Sequence, residues 1–147
     1  MLAVYREIRE LLYEEACKNY PKECCGILLG EISEDGERRT KMIRPVTNSA
    51  PQDRQGESFF ITAEELMREE MVSDQMGMEI IGFYHSHPDE RAEISSKDQT
   101  YMIPGLSYVV LAIYRGRVVE LKSFEKKISG WTESFLEEQI HVEKETR

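Results

Sequence analysis

Two histidines and one carboxylate are the residues of this chain best placed to do chemistry together. His85 and His87 stand in Gly82-Phe83-Tyr84-His85-Ser86-His87-Pro88, and Asp98 follows in Ser95-Ser96-Lys97-Asp98. On an extended strand, side chains at i and i+2 point to the same side, so both imidazoles can close on one ion without backbone distortion. Pro88 removes a donor and stops the strand. The polar loop 89–94 can then swing the chain back, bringing Asp98 in on the first turn of a helix. Two His and one carboxylate, with a position left for water, is the ligand set of a hydrolytic zinc site rather than a structural one. One Zn2+ per chain is the expectation.

The elements around these residues must hold them. The apolar run 79–84 reads as a buried strand, and two imidazoles at its end would be costly to bury without partners. Two of only three His in the chain lie on this segment. Asp89, Glu90 and Glu93 are rival carboxylates, but they sit in a charge-rich loop whose plain reading is exposure. Ser95 stands three residues before Asp98, the spacing of a capping box. An acidic residue in a first turn also suits the helix dipole. A capped helix end would fix the Asp98 carboxylate rigidly.

The ligands lack a general base, and no His-Glu-x-x-His helix supplies one. Together, Tyr20-Pro21-Lys22-Glu23-Cys24-Cys25-Gly26-Ile27-Leu28-Leu29-Gly30, then His85-Ser86-His87-Pro88, then Ser95-x-x-Asp98, resemble the JAMM (MPN-plus) zinc metalloprotease family, in its compact prokaryotic form. The resemblance covers nearly the whole chain. It implies zinc ligation by His85, His87 and Asp98, Glu23 as the general acid/base, and Ser95 as a donor to the oxyanion. Ile94 departs from the pattern, standing where many relatives carry Pro, and removes no functional group. The resemblance also implies an α/β (α+β) fold, a mixed central β-sheet flanked by helices with cytidine-deaminase-like layering.

Composition agrees with a small enzyme. The 147 residues, 40% hydrophobic and 32% charged, suit one globular domain over 1–147. A net charge of −9 argues against nucleic acid or an anionic membrane surface as partner. No stretch approaches the roughly 20 apolar residues of a membrane span. The three cysteines include the adjacent Cys24 and Cys25, awkward geometry for a disulfide. Reduced thiols and a cytoplasmic location follow as the default. Cys25, close to Glu23, is a soft ligand on one reading and a small buried strand residue on the plainer one.

Periodicity predicts a helix over 3–19, with Ile8, Leu11, Leu12 and Ala16 on one face and Pro21 as its stop. Strands are expected over 24–32 and on through Ile43 and Val46, with a turn at Glu34-Asp35-Gly36. A polar loop over 48–57 and a short strand at 59–61 lead to a helix opened by Thr62-Ala63-Glu64-Glu65 and stopped at Gly77. After the ligand strand and the short helix from Ser96, strands over 106–114 and 117–124 join at Arg115-Gly116. Residues 131–142 read two ways. Their acidic residues favour an exposed helix, whereas Gln139-Ile140-His141-Val142 alternates like an edge strand. His141 has no partner ligands nearby and reads as solvated.

Three functions compete. The first is a peptidase or isopeptidase acting beside the C-terminal Gly-Gly of a ubiquitin-like or sulfur-carrier protein, whose tail would be held by strand addition to 59–61 or 80–84. The second is a non-catalytic MPN-type scaffold or partner-binding domain, which the intact ligand pattern disfavours. The third is a DNA-repair relative, for whose usual helical module the chain has no room. The sequence leaves a homodimer open.

Overall fold

The run Leu2-Ala3-Val4-Tyr5 is buried along its whole length and forms strand β1 (Leu2–Tyr5). In the computed structural model, which describes residues 1–47 and 62–144, β1 lies between two parallel neighbours. A strand so enclosed needs continuous apolar sequence, and these four residues supply it. The helix expected over 3–19 therefore begins later, as α1 (Arg6–Asn19). Its Ile8, Leu12 and Ala16 are buried as expected, while Leu11 stays 43% exposed.

The remaining elements are β2 (Cys25–Ile32), β3 (Arg38–Val46), α2 (Ala63–Gln75), β4 (Glu79–Pro88), α3 (Ser96–Tyr101), β5 (Ser107–Tyr114), β6 (Arg117–Ser129), β7 (Thr132–Glu138) and β8 (Ile140–Glu143). Thr62 caps α2 by accepting from the Glu65 N–H at 3.2 Å, and Gly77 takes φ +70 just past its end. The expected loop over 48–57 and strand at 59–61 lie outside the described residues.

The C-terminal region differs from a helix. β6 runs on past Phe124 and pairs with β7 around a turn containing Gly130, at φ +62. Cross-strand partners such as Lys126 opposite Phe135 satisfy the acidic, aromatic segment better than a solvated helix would. An edge strand does form there, one residue later than 139–142: β8 (Ile140–Glu143) pairs with β1 along one edge, and His141 is exposed.

The strands form one eight-stranded sheet in the order β7-β6-β5-β4-β2-β3-β1-β8. The sheet is mixed: β1 is parallel to β3 and β8, β4 is parallel to β5, and the other pairs are antiparallel. It also curls. β7 and β8 lie at opposite edges, yet only Gln139 separates them in sequence, and the Leu2 N–H donates to the Gln139 carbonyl at 3.0 Å. Buried Arg38 stitches the curl from inside. Its guanidinium donates to Glu138 at 2.9 Å, Ser107 at 3.0 Å, Glu125 at 3.2 Å and the Gly105 carbonyl at 2.9 Å.

The main core lies on one face of the sheet, where α1 packs Ile8 and Leu12 among Leu2, Leu28, Tyr84 and Leu111. A smaller cluster of Ala92, Val110 and Ala112 forms separately, with Ile94 and Phe124 against it. β4 sits between β2 and β5, hydrogen-bonded to both. The expectation that 80–84 would take up a substrate tail by strand addition is therefore not met over residues 82–84, which are paired to β2 on one side and to β5 on the other. Among the described residues no helix is long and apolar enough to cross a membrane.

Candidate metal centre

The register of β2 against β4 assembles the site. Cys25 stands opposite His85, and the antiparallel pattern continues to Cys24 and Ser86. There the Ser86 N–H donates to the Cys24 carbonyl at 3.1 Å, and the Cys24 N–H donates to Ser86 Oγ at 2.8 Å. One residue further, Glu23 comes level with His87. Side-chain alternation sends Tyr84 into the core under α1 and leaves His85 and His87 on the other face. Glu23, His85 and His87 are all buried, and their ligand atoms lie within 4.8 Å of one another.

Asp98 reaches the same point from α3. Its Oδ2 lies 3.4 Å from His85 Nε2 and 3.7 Å from His87 Nε2, and the two Nε2 atoms are 2.9 Å apart. The expected capping box is complete. Ser95 Oγ accepts from the Asp98 N–H at 3.0 Å, and Asp98 Oδ2 accepts from the Ser95 N–H at 3.2 Å. Ser95 itself is exposed. It shares with His87 the wall of a cleft of about 400 Å³, while Glu23 lines a second cleft of about 380 Å³.

This arrangement fits a tetrahedral cation. Zinc–ligand bonds of about 2.0 to 2.2 Å set neighbouring ligand atoms about 3.4 Å apart, close to the three separations here. His87 Nδ1 lies 2.9 Å from the Arg91 carbonyl. A carbonyl can only accept, so Nδ1 carries the proton and Nε2 keeps a lone pair for a cation.

The electrostatics are those of a dry site. Burial pushes the Glu23 carboxyl up from 4.5 to about 8, against the pull of His87. Burial lowers His85. It opposes the charge on His87 too, but hydrogen bonds to Asp98 and the Arg91 carbonyl outweigh it and raise that ring. Burial also works against ionised Asp98, and the two imidazoles overcome it, holding the group well below the usual carboxylate range.

The rival ligands go elsewhere. The Asp89 carboxylate receives the Tyr20 hydroxyl at 2.9 Å, and Glu93 faces Arg91 at 3.7 Å. Among the described residues neither these nor Glu90 joins the cluster. The Cys25 thiol donates to the Val46 carbonyl at 3.6 Å, and burial pushes it up to about 12. Engaged there and absent from the ligand cluster among the described residues, it is the small buried strand residue of the plainer reading. Two participants escaped sequence reasoning. The Arg91 carbonyl is a backbone group and leaves no mark in sequence. Ala92 does leave one, as the small apolar residue of a charged loop: it is fully buried and anchors the loop on Val110 and Ala112.

Known proteins bear on this site. The chain is 35% identical over 104 residues to a desampylase of Haloferax volcanii, covering 66% of this chain and 67% of that protein. A solution structure of a Desulfitobacterium hafniense protein superposes with a TM-score of 0.82 at 27% identity, over 99% of this chain and 94% of the other. A JAB1/MPN domain protein from Archaeoglobus fulgidus shares the fold, with a TM-score of 0.57 at 16% identity over 98% of each chain. The family model described as prokaryotic homologues of the JAB domain matches residues 6–125, and this chain belongs to that family, within the JAMM/MPN group.

Proposed function

We propose that this chain is a zinc-dependent peptidase or isopeptidase that hydrolyses the amide bond beside the C-terminal Gly-Gly of a ubiquitin-like, sulfur-carrier-type protein. The observation that carries the reading is the buried convergence of Glu23, His85 and His87, with Asp98 against both imidazoles. The likeness to a desampylase supports an isopeptidase that acts on a ubiquitin-like protein. Residues 1–147 would form a single catalytic domain, working in the cytoplasm, where the free thiols of Cys17, Cys24 and Cys25 are at home.

His85, His87 and Asp98 would hold the zinc. When bound, zinc supplies Lewis-acid polarisation of the scissile carbonyl and a water of lowered pKa. Glu23 takes the proton of the attacking water and returns it to the leaving amine, a contribution of about 10² to 10⁴ in rate. Its burial keeps bulk water from levelling its basicity. The Ser95 hydroxyl donates to the developing oxyanion from the rim of the His87 cleft. A Gly-Gly segment, with no Cβ to meet the walls, is the narrowest chain that can lie across such a site.

The test joins metal analysis to turnover. Wild type is expected to hold one zinc, His87→Ala and Asp98→Ala to lose it, and Glu23→Gln to keep it while losing nearly all hydrolysis. The substrates are a ubiquitin-like carrier extended beyond Gly-Gly, the same carrier with Ala-Ala, and the free tail peptide. Selective cleavage of the first is expected. Equal cleavage of all three would make the protein a general peptidase. Zinc binding with no cleavage of any would leave the scaffold reading in its place.

A further inference from the structure

The Tyr20 hydroxyl lies 2.9 Å from each oxygen of the Asp89 carboxylate. The same carboxylate accepts from the Arg115 N–H at 3.4 Å, and the Asp89 N–H donates to the Ile113 carbonyl at 2.6 Å. Asp89 takes φ +56, a left-handed conformation that costs most L residues energy and that Asp and Asn enter more readily than others. A charged loop residue held in that conformation by three hydrogen bonds does more than face solvent.

Its place in the chain suggests what it does. Tyr20 follows directly on α1 and stands three residues before Glu23. Asp89 is the first residue after β4 and opens the loop that carries the Arg91 carbonyl to His87 Nδ1 and then brings in Ser95 and Asp98. The contact thus ties the segment that delivers the proposed base to the segment that orients and completes the ligands. Further along, the loop is pinned by Ala92, which is packed on Val110 and Ala112 and donates its N–H to Glu120 at 3.3 Å. Between that anchor and the end of β4, Asp89 fixes the other end of the arc on which the Arg91 carbonyl sits.

We infer that Tyr20 and Asp89 are a positioning pair, a clasp that sets the orientation of His87 through loop 89–94 and holds Glu23 against the ligand set. The inference rests on the zinc reading above. Neither residue touches the reacting atoms. The pair acts by keeping the His87 ring and the Glu23 carboxylate in one geometry, the kind of outer support whose loss typically weakens a metal by about 10- to 100-fold.

The experiment measures zinc affinity by chelator competition, with the thermal midpoint of each metal-free protein and the kcat and KM of each zinc-loaded one alongside. Tyr20→Phe keeps the ring and removes only the hydroxyl. Asp89→Gly keeps the left-handed backbone at no strain and removes the acceptor. Asp89→Asn keeps both the conformation and an acceptor oxygen. Tyr20→Phe and Asp89→Gly are each expected to weaken zinc about tenfold and to lower kcat more than they change KM. The double variant should be no worse than the poorer single one, because both break the same contact. Asp89→Asn should restore affinity close to wild type. If Tyr20→Phe and Asp89→Gly bind zinc as tightly as wild type and turn over as fast, the clasp is overturned and the zinc reading stands. The same holds if they lose only thermal stability. A wild-type protein that takes up no zinc would overturn both.

Discussion

The Glu23 carboxyl sits in an environment that its charged neighbour Lys22 does not suggest. In the metal-free protein, burial raises its pKa from 4.5 to about 8. The folded state therefore binds a proton that the unfolded chain has already released across that interval. The stability this contributes is complete below about pH 4.5 and is lost as pH rises to about 8, with a slope of up to about 1.4 kcal/mol per pH unit. His87, also raised, acts in the same direction through its own range. His85, lowered by burial, opposes both as pH rises through the ordinary imidazole range, and Asp98, lowered, stabilises at higher pH and loses its effect only in acid. Thermal melts of metal-free wild type should fall between about pH 5 and 8, and Glu23→Gln, which has no proton to lose, should flatten most of that slope. An unchanged slope in Glu23→Gln would show that burial of Glu23 is not its cause.

Among the elements, β4 does the most to position the site, and its seating against β5 depends on one glycine. Gly82 stands opposite Ser107 in the parallel pair. A Cβ there would lie 2.0 Å from the Ser107 carbonyl oxygen, a backbone atom that cannot turn aside. Gly82→Ala should push the two strands apart, costing about 1 to 3 kcal/mol or more by overpacking. It should also weaken zinc, because His85 and His87 ride on the displaced strand. Gly105→Ala is the control: nothing lies within 4 Å of its Cβ, though its φ of +89 carries strain, so it should lose about 1 kcal/mol and keep its metal affinity. Denaturant midpoints and zinc titrations of the two variants decide. Equal zinc affinity in wild type and Gly82→Ala would break the link between strand spacing and site.

At the scale of the whole molecule, closure of the curled sheet rests on a buried charge network far in sequence from the motifs. Arg38 and Glu138 lie 2.9 Å apart with both side chains nearly inaccessible, and Ser123 donates to the second Glu138 oxygen at 2.7 Å. Removing Arg38 leaves buried Glu138 with only the Ser123 hydroxyl and the Met1 ammonium at 3.6 Å, a loss of up to about 3 to 5 kcal/mol. Arg38→Met should therefore destabilise strongly, and Arg38→Met with Glu138→Leu should recover much of the loss. Neither should change zinc affinity per folded molecule, since the network shares no residue with the metal centre. Urea denaturation of the two variants, with zinc titration at low urea, tests this. A single variant as stable as wild type would mean that solvent reaches the pair.

Much of the candidate site was legible because its logic is local. His85 and His87 share a face by strand alternation, Ser95 and Asp98 cap one helix by their spacing, and Pro88 ends the strand that carries the histidines. Each depends on a few consecutive residues, so sequence alone determines it. Residues 3–5, expected in the helix, fit either period, and only a parallel neighbour on each side of β1 makes them strand. The β6–β7 ribbon was obscured in the same way, since its acidic residues are satisfied by partners across the sheet. The tertiary structure alone decided how Glu23 meets His87, that β4 is enclosed by β2 and β5 from Gly82 on, and where Asp89 turns. Those outcomes follow from strand order, register and burial. Such properties are set by contacts between residues far apart in the chain, and no short stretch of sequence carries them.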